Sequence, residues 1–136
     1  MDGICGSNSG NGKITRCYNT GNISALVDDI GGIIGINYAL IQSSYSIGNI
    51  DGGNFAVGGI VGYGVTGQSI IKCYSLASVK GKIAVGGITG TAQIGECIDC
   101  KWYSKDLNYG IGNKESNEGA IYDENLTVSE LIKILE

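Results

Sequence analysis

The chain has 136 residues, enough for one domain with a single core. Glycine accounts for 24 of them, proline and histidine are absent, and charged residues make up only 16%. The net charge of −4, with lysines and an arginine scattered along the chain, argues against nucleic-acid binding, and no apolar run is long enough to cross a membrane.

A glycine-rich signature, Gly-Ile-x-Gly, recurs four times. It begins at Gly3, Gly32, Gly59 and Gly87, with successive offsets of 29, 27 and 28 residues. Such a regular spacing indicates tandem structural repeats. Glycine at this density would cost a helix about 1 kcal/mol per position relative to alanine, which excludes helical repeats.

Two further blocks follow the signature in each repeat. The second block reads Ile14-x-x-Cys17-Tyr18, Ile41-x-x-Ser44-Tyr45, Ile70-x-x-Cys73-Tyr74 and Ile94-x-x-Cys97-Ile98. The third reads Gly21-Asn22-Ile23, Gly48-Asn49-Ile50 and Ala77-Ser78-Val79, and it is missing from the last repeat. Short runs of β-branched residues bounded by Gly, Asn or Ser predict strands, three to a repeat.

We therefore expect an all-β fold, a right-handed parallel β-helix (β-solenoid) of about four coils with three short strands each. The coils would cover residues 2–30, 31–57, 58–85 and 86–105. Equivalent residues would stack about 4.8 Å apart. We expect the glycines at corners with positive φ, or where a neighbouring strand leaves no room for a Cβ. Asn22 and Asn49 should hydrogen-bond along their column.

Residues 106–136 break the repeat pattern and predict an irregular segment followed by a capping helix. Thr127-Val128-Ser129-Glu130 has the sequence pattern of a capping box, and one apolar stripe is formed by Leu131, Ile132 and Leu135. We expect this helix to close the open end of the solenoid and cover the last strand edges. A helix that binds a partner is the alternative.

The Gly-Ile-x-Gly, Ile-x-x-Cys-Tyr-Ser and Gly-Asn-Ile blocks together resemble the bacterial GLUG repeat, over residues 2 to about 104. Proteins with this repeat are surface or secreted bacterial proteins, including the stalks of large adhesins and of immunoglobulin A1-cleaving metallopeptidases. The resemblance implies an extracellular scaffold and transfers no catalytic residue. Because the repeat starts at the first residues, we also expect the chain to be a piece of a longer array.

The five cysteines are an odd number, which argues against a full disulfide framework. In the repeat alignment Cys17, Cys73 and Cys97 share a column with Ser44, so we interpret them as small core residues. Cys73 and Cys97 are the one column pair expected within disulfide reach. A lone Cys97-x-x-Cys100 without histidine has too few ligands for a structural zinc site, and we expect no metal and no cofactor.

Carboxylates are the remaining candidates for chemistry. Asp28 and Asp29 lie together between the first two repeats and Asp51 lies in the next loop, whereas Lys80 and Lys82 occupy the equivalent place in the third repeat. Solenoid enzymes that cleave polysaccharides use converging carboxylates. Paired acids in a surface loop are more often solvated, so we expect no enzyme, and weak Ca²⁺ binding is the alternative for this pair.

The sequence thus predicts a non-enzymatic structural and adhesive module of a bacterial surface or secreted protein, a rigid scaffold that presents or spaces other domains. Its expected partners are a host or cell-surface protein or glycan, or further repeats and domains of a parent chain. Tyr18, Tyr45 and Tyr74 form an aromatic column. The column either is a structural ladder or, if it faces outward, binds a glycan or a protein.

Overall fold

The computed structural model describes residues 3–105 and 107–136. Short runs of β-branched and small residues form its strands. In chain order they are β1 (Cys5–Asn8), β2 (Lys13–Thr15), β3 (Tyr18–Asn19), β4 (Ile23–Ala25), β5 (Ile30–Gly31), β6 (Ile34–Asn37), β7 (Leu40–Gln42), β8 (Tyr45–Ser46), β9 (Ile50–Gly52), β10 (Phe55–Gly58), β11 (Val61–Gly64), β12 (Ser69–Ile71), β13 (Tyr74–Ser75), β14 (Val79–Lys80), β15 (Ile83–Gly86), β16 (Thr89–Thr91), β17 (Cys97–Ile98), β18 (Cys100–Trp102) and β19 (Ala120–Tyr122). One helix, α1 (Val128–Lys133), follows.

All these strands pair in parallel, and they form five sheets that run along a β-solenoid, as predicted. Sheet I is β5-β10-β15, sheet II is β1-β6-β11-β16, sheet III is β2-β7-β12-β17, sheet IV is β3-β8-β13-β18-β19 and sheet V is β4-β9-β14. The first coil carries β1–β4, the second β5–β9, the third β10–β14 and the fourth β15–β18. A complete coil thus has five strands, where the sequence predicted three. The signature lies at a corner with a strand on either side, a second corner divides the second predicted block into two strands, and the third block forms one.

Many corner residues are not glycines, although they have positive φ. Between sheets III and IV every coil places a non-glycine residue in the left-handed region, namely Arg16, Ser43, Lys72 and Asp99, with φ of 54°, 53°, 51° and 53°. Asp29, Ala56 and Ala84 do the same at the start of sheet I. Each such corner is strained, and the stacked neighbours hold it in place.

The signature glycines inside the stack instead occupy places where a neighbouring residue comes too close for a side chain, whereas Gly6 in the first coil has open space around it. A Cβ on Gly59 would collide with the Gly87 carbonyl and the Ser75 side chain. A Cβ on Gly62 would lie 2.6 Å from the carbonyl carbon of Asp29 and from the Ile30 nitrogen. The second of the two predicted reasons for glycine is therefore the one that applies to the signature.

The register confirms the predicted signature alignment. Cys5 pairs with Ile34, Ile34 with Val61, and Val61 with Thr89. Ile111 then forms a bridge above Thr89, and β19 pairs with β18. The segment predicted to be irregular therefore contains a fifth, partial coil.

The core lies inside the coils and is built mainly from isoleucine. The larger interior cluster contains the signature residues Ile33, Ile60 and Ile88 together with Ile41 and Ile70 of sheet III, all fully buried. A second interior cluster lies between sheets I and V. These columns leave a narrow interior in which each coil repeats the packing of the coil below it.

Helix α1 begins as the capping box predicts. Thr127 is the N-cap, and its side-chain oxygen accepts a hydrogen bond from the Glu130 backbone N–H. The predicted apolar stripe is only partly right: Leu131 is buried and Leu135 half-buried, but Ile132 is 49% exposed. Ile134 is buried in its place, because the helix approaches the solenoid from the side.

Candidate functional site

The helix covers much of the predicted tyrosine surface. Leu126, Leu131 and Ile134 form a cluster with Tyr45, and Tyr74 packs against the same cluster. Tyr45 belongs to the second coil and Tyr74 to the third, so the helix lies along the flank of sheet IV. The expectation that it closes the open end of the solenoid is wrong, because its apolar partners are side chains on the outside of the coils.

The tyrosine column itself is in register and faces outward. Tyr18 pairs with Tyr45, and Tyr45 with Tyr74. The rings of Tyr18 and Tyr45 stack with centroids 5.1 Å apart and an angle of 12° between planes. Tyr45 is only 6% exposed and Tyr18 is 53% exposed. Burial, and then the neighbouring Tyr18, raises the pKa of Tyr45.

The three candidate tyrosines therefore lie in different environments. Tyr45 and Tyr74 belong to the interface with the chain's own helix, whereas Tyr18 presents about half of its surface to solvent. The column continues with Lys101, whose Nζ lies 5.7 Å from the centre of the Tyr74 ring, a cation–π arrangement. Of the predicted surface, Tyr18 alone has the exposure that stacking on a ligand requires.

The cysteine column has a structural role that the sequence did not reveal. In every coil a side chain donates a hydrogen bond to the carbonyl two residues earlier, across the left-handed corner: Cys17 to Thr15 (3.4 Å), Ser44 to Gln42 (3.1 Å), Cys73 to Ile71 (3.4 Å) and Cys100 to Ile98 (3.5 Å). Cysteine and serine both supply this donor, which explains why serine can stand in the column in place of cysteine.

The predicted alignment of the fourth repeat is wrong by three residues. Cys97 pairs with Ile70, so it takes the isoleucine position, and Cys100 takes the cysteine position above Cys73. Ile94 lies in a turn, because the spacing from Thr89 to Ile94 is shorter than any coil uses between sheets II and III. The pair in column register is therefore Cys73 and Cys100, and the predicted Cys73–Cys97 pair is not.

Cys73, Cys97 and Cys100 are buried as free thiols. The hydrogen bond to Cys100, together with burial, raises the pKa of Cys97, and burial raises the pKa of Cys73. Within residues 3–105 and 107–136 no group of three or more histidine, cysteine, aspartate or glutamate side chains is arranged to hold a metal ion. The position of these thiols in the repeat columns fits core packing.

The paired carboxylates lie at a corner. Asp29 occupies the left-handed position before β5, and burial, with Asp28 as the second cause, raises its pKa. Asp51 lies on another strand, β9, where its register neighbours are Ser24 below and Lys80 above. The alternative of Ca²⁺ binding at Asp28 and Asp29 stays a prediction.

A buried polar ladder, which the sequence analysis missed, runs beside sheets II and III. Asn8 donates to Asn37 (3.0 Å), Asn37 donates to Gln68 (2.7 Å), and Gln68 donates to Glu96 (3.1 Å), each through a side-chain amide. Glu96 also accepts from the Gln93 backbone N–H at 2.8 Å. Because the chain turns between Gln93 and Glu96, the sheet III strand of the fourth coil begins only at Cys97. The recurrence of Asn five residues after Gly3 and Gly32 was the available signal.

A groove lies beside the fourth coil, where the third block is missing. It has a volume of about 400 Å³. Lys80, Lys82 and Lys105 line it together with the apolar side chains of Val79, Val85 and Leu107. In the sequence, Lys80 and Lys82 stand out only as departures from the acidic loops of the earlier coils. Lys105 joins them through the path of the chain after β18, which the repeat pattern does not predict.

No protein-family model, curated protein or solved structure matches this chain. In the part of the chain that is described, α1 falls far short of the length and apolarity that a membrane crossing needs.

Proposed function

We propose that the chain is a non-enzymatic structural and adhesive module of a bacterial surface or secreted protein, a rigid scaffold that spaces or presents other domains. The observation that carries this proposal is the unbroken parallel register of sheet II. Its strands stack Cys5, Ile34, Val61 and Thr89 through all four coils. Stacked coils of this kind contact only their neighbours, and they can be added without redesigning the rest.

The assignment of side chains supports the same proposal. The isoleucines fill the core, and Tyr45 and Tyr74 hold the C-terminal helix. The corners are bridged by Cys17, Ser44, Cys73 and Cys100. Extracellular location, GLUG membership and partners in the form of surface proteins, glycans or further domains belong to this proposal through the sequence resemblance.

A coil insertion tests the scaffold proposal. Two extra copies of residues 59–86, placed after Gly86, should give a folded protein that is longer by about 10 Å, since each coil adds about 4.8 Å. Circular dichroism would report folding and small-angle X-ray scattering would report the maximum dimension. A single copy of residues 59–72 in the same place is the control, since these 14 residues add half a coil, put the following signature out of register and should unfold the stack. Unfolding by the whole-coil insertion would contradict the proposal.

The alternative function is a glycan- or protein-binding module, and the exposed face of Tyr18 favours it. Tyr18→Ala should abolish binding to a glycan array or to a host surface protein with little change in stability, because the ring is largely exposed. Tyr45→Ala would be a poor test, since it removes packing under the helix. Binding that is unchanged in Tyr18→Ala would overturn this alternative.

A further inference from the structure

The corner between sheets V and I carries a strip of exposed apolar side chains. The loops that precede β5, β10 and β15 stack there, one from each of the first three coils: the Asp29 N–H donates to the Phe55 carbonyl at 3.0 Å, and Phe55 stands in register with Ile83. Leu26 is 87% exposed, Ile83 is 62% exposed, and Phe55 is also exposed. Large apolar side chains that line up on one surface indicate an interaction site.

The strip combines a protruding side chain with a hollow next to it. Leu26, in the lowest loop, projects into solvent. It lines one side of a hollow of about 260 Å³, whose other lining residues include Gly52, Gly53 and Gly81. These glycines leave space that an apolar side chain from outside can enter. A protrusion and a hollow side by side make the face complementary to itself, which is the property of a two-fold interface.

The two ends of the strip carry charges of opposite sign. The lowest loop contains Asp28 and the third loop contains Lys82, with Lys80 just before it, and all three are exposed. Two coils separate these ends, which corresponds to about 10 Å at 4.8 Å per coil. If two copies lie side by side with antiparallel axes, the acidic end of each faces the basic end of the other. Parallel axes would place like charges together.

We propose that this corner face joins two copies of the chain in a weak, antiparallel dimer with two-fold symmetry. Leu26 of each copy enters the glycine-lined hollow of the other, Phe55 lies near the axis, and Asp28 pairs with the other copy's Lys82. A strip one corner wide is smaller than a standard interface, so we expect a dissociation constant on the order of 0.1–1 mM. The proposal does not rest on the scaffold function, since a spacer can also work as a monomer.

Sedimentation equilibrium of the full chain tests the apolar contact. The wild-type chain should show a monomer–dimer equilibrium between about 0.01 and 1 mM. Ile83→Asp and Leu26→Asp should each raise the dissociation constant by at least about tenfold, because each places a charge in the apolar contact. Ile94→Asp is the matched control, since Ile94 is an exposed isoleucine in a turn of the fourth coil, and it should leave the dimer unchanged.

Charge-reversal variants test the antiparallel arrangement. Asp28→Lys makes both ends of the strip basic and Lys82→Glu makes both ends acidic, so each variant alone should dimerise about tenfold more weakly. An equimolar mixture should regain a dimer that contains one copy of each variant, because both pairs of facing ends then have opposite charges. Native mass spectrometry would identify this mixed dimer by its mass.

Three results would overturn the proposal: a monomer over the whole concentration range, a dimer that Ile94→Asp weakens as much as Ile83→Asp does, or a mixture that associates no better than the separate variants. Circular dichroism would verify the fold of each variant. The apolar and the charged substitutions lie at separate exposed positions, so the proposal stays testable if one variant fails to fold.

Discussion

The second and third coils differ from the fourth coil and the partial coil above it, although the same repeat produces both. In the regular coils Ser46 and Ser75 occupy one column of sheet IV, and each lies against the glycine of a signature. In the fourth coil Trp102 takes this column position. The same place in the repeat therefore holds a small side chain inside the stack and a large one near its end.

Trp102 determines how the chain packs after the fourth coil. Its ring is fully buried against Gly87, and its Nε1 donates to the Ala120 carbonyl at 3.0 Å and to the Asn117 side chain at 3.1 Å. The next layer is thus a shortened one, made of Ile111 and β19. The comparison shows that a regular coil repeats backbone contacts, whereas the terminal region depends on one large side chain.

The largest expected effect tests this dependence on Trp102. Trp102→Ala should lower the free energy of unfolding by about 3–5 kcal/mol, because it empties a fully buried site. Ser75→Ala at the matched position of the third coil removes only a hydroxyl, which accepts a hydrogen bond from the Ala77 N–H, and should cost about 1 kcal/mol. Urea denaturation would measure both. Equal costs would show that the two regions do not differ in the way described.

Glycine substitutions compare the inside of the stack with its first edge. Gly62→Ala should destabilise the fold by about 1–3 kcal/mol, since the new Cβ would meet the Asp29 and Ile30 backbone. Gly6 holds the same place in the first signature, and nothing lies within 4 Å of a Cβ there. Gly6→Ala should therefore be neutral, or stabilising by about 0.4–1 kcal/mol, in thermal unfolding. A similar loss in both variants would refute the close-approach explanation of the signature.

The smallest expected effect concerns the corner hydrogen bond of the cysteine column. Cys73→Ser keeps the donor to Ile71, as Ser44 does to Gln42, and should change stability by less than about 1 kcal/mol, whereas Cys73→Ala loses the donor and should cost more. Denaturant titration of both variants measures the difference, and an alanine variant as stable as the serine variant would contradict it.

The pH dependence of stability provides a second measurement at Cys73. Burial raises the pKa of this thiol above its ordinary value near 9, so the folded state holds the proton more tightly than the unfolded chain does. The free energy of unfolding should be independent of this thiol below pH 9 and fall as the pH rises above it. Cys97 acts in the same direction. For Cys100 burial alone would raise the pKa, but its hydrogen bonds with Cys97 and with the backbone together outweigh burial and lower it. Cys73→Ser should therefore remove only the part of the fall that Cys73 contributes.

Much of the solenoid could be predicted because its register follows directly from the repeat. The spacing of Gly32, Gly59 and Gly87 identified the coils, and Thr127 with Glu130 identified the start of the helix. The same reasoning misaligned the fourth coil. Ile94 and Cys97 match the Ile-x-x-Cys pattern, but the block that pairs with Ile70 begins three residues later, at Cys97. Glu96 holds this arrangement in place by accepting hydrogen bonds from the Gly67 backbone N–H and the Gln68 side chain, 29 and 28 residues away in the sequence.

The sequence by itself determined the parallel stack, its columns and their small residues, since each of these follows from local composition repeated at a fixed period. Only the tertiary structure decided that the helix lies on the flank over Tyr45, that Cys100 stands above Cys73, and that three lysines meet at a groove beside Leu107. The physical reason is that these contacts arise where the repeat ends. There the path of the chain is set by which side chains find partners, and no longer by the coil below.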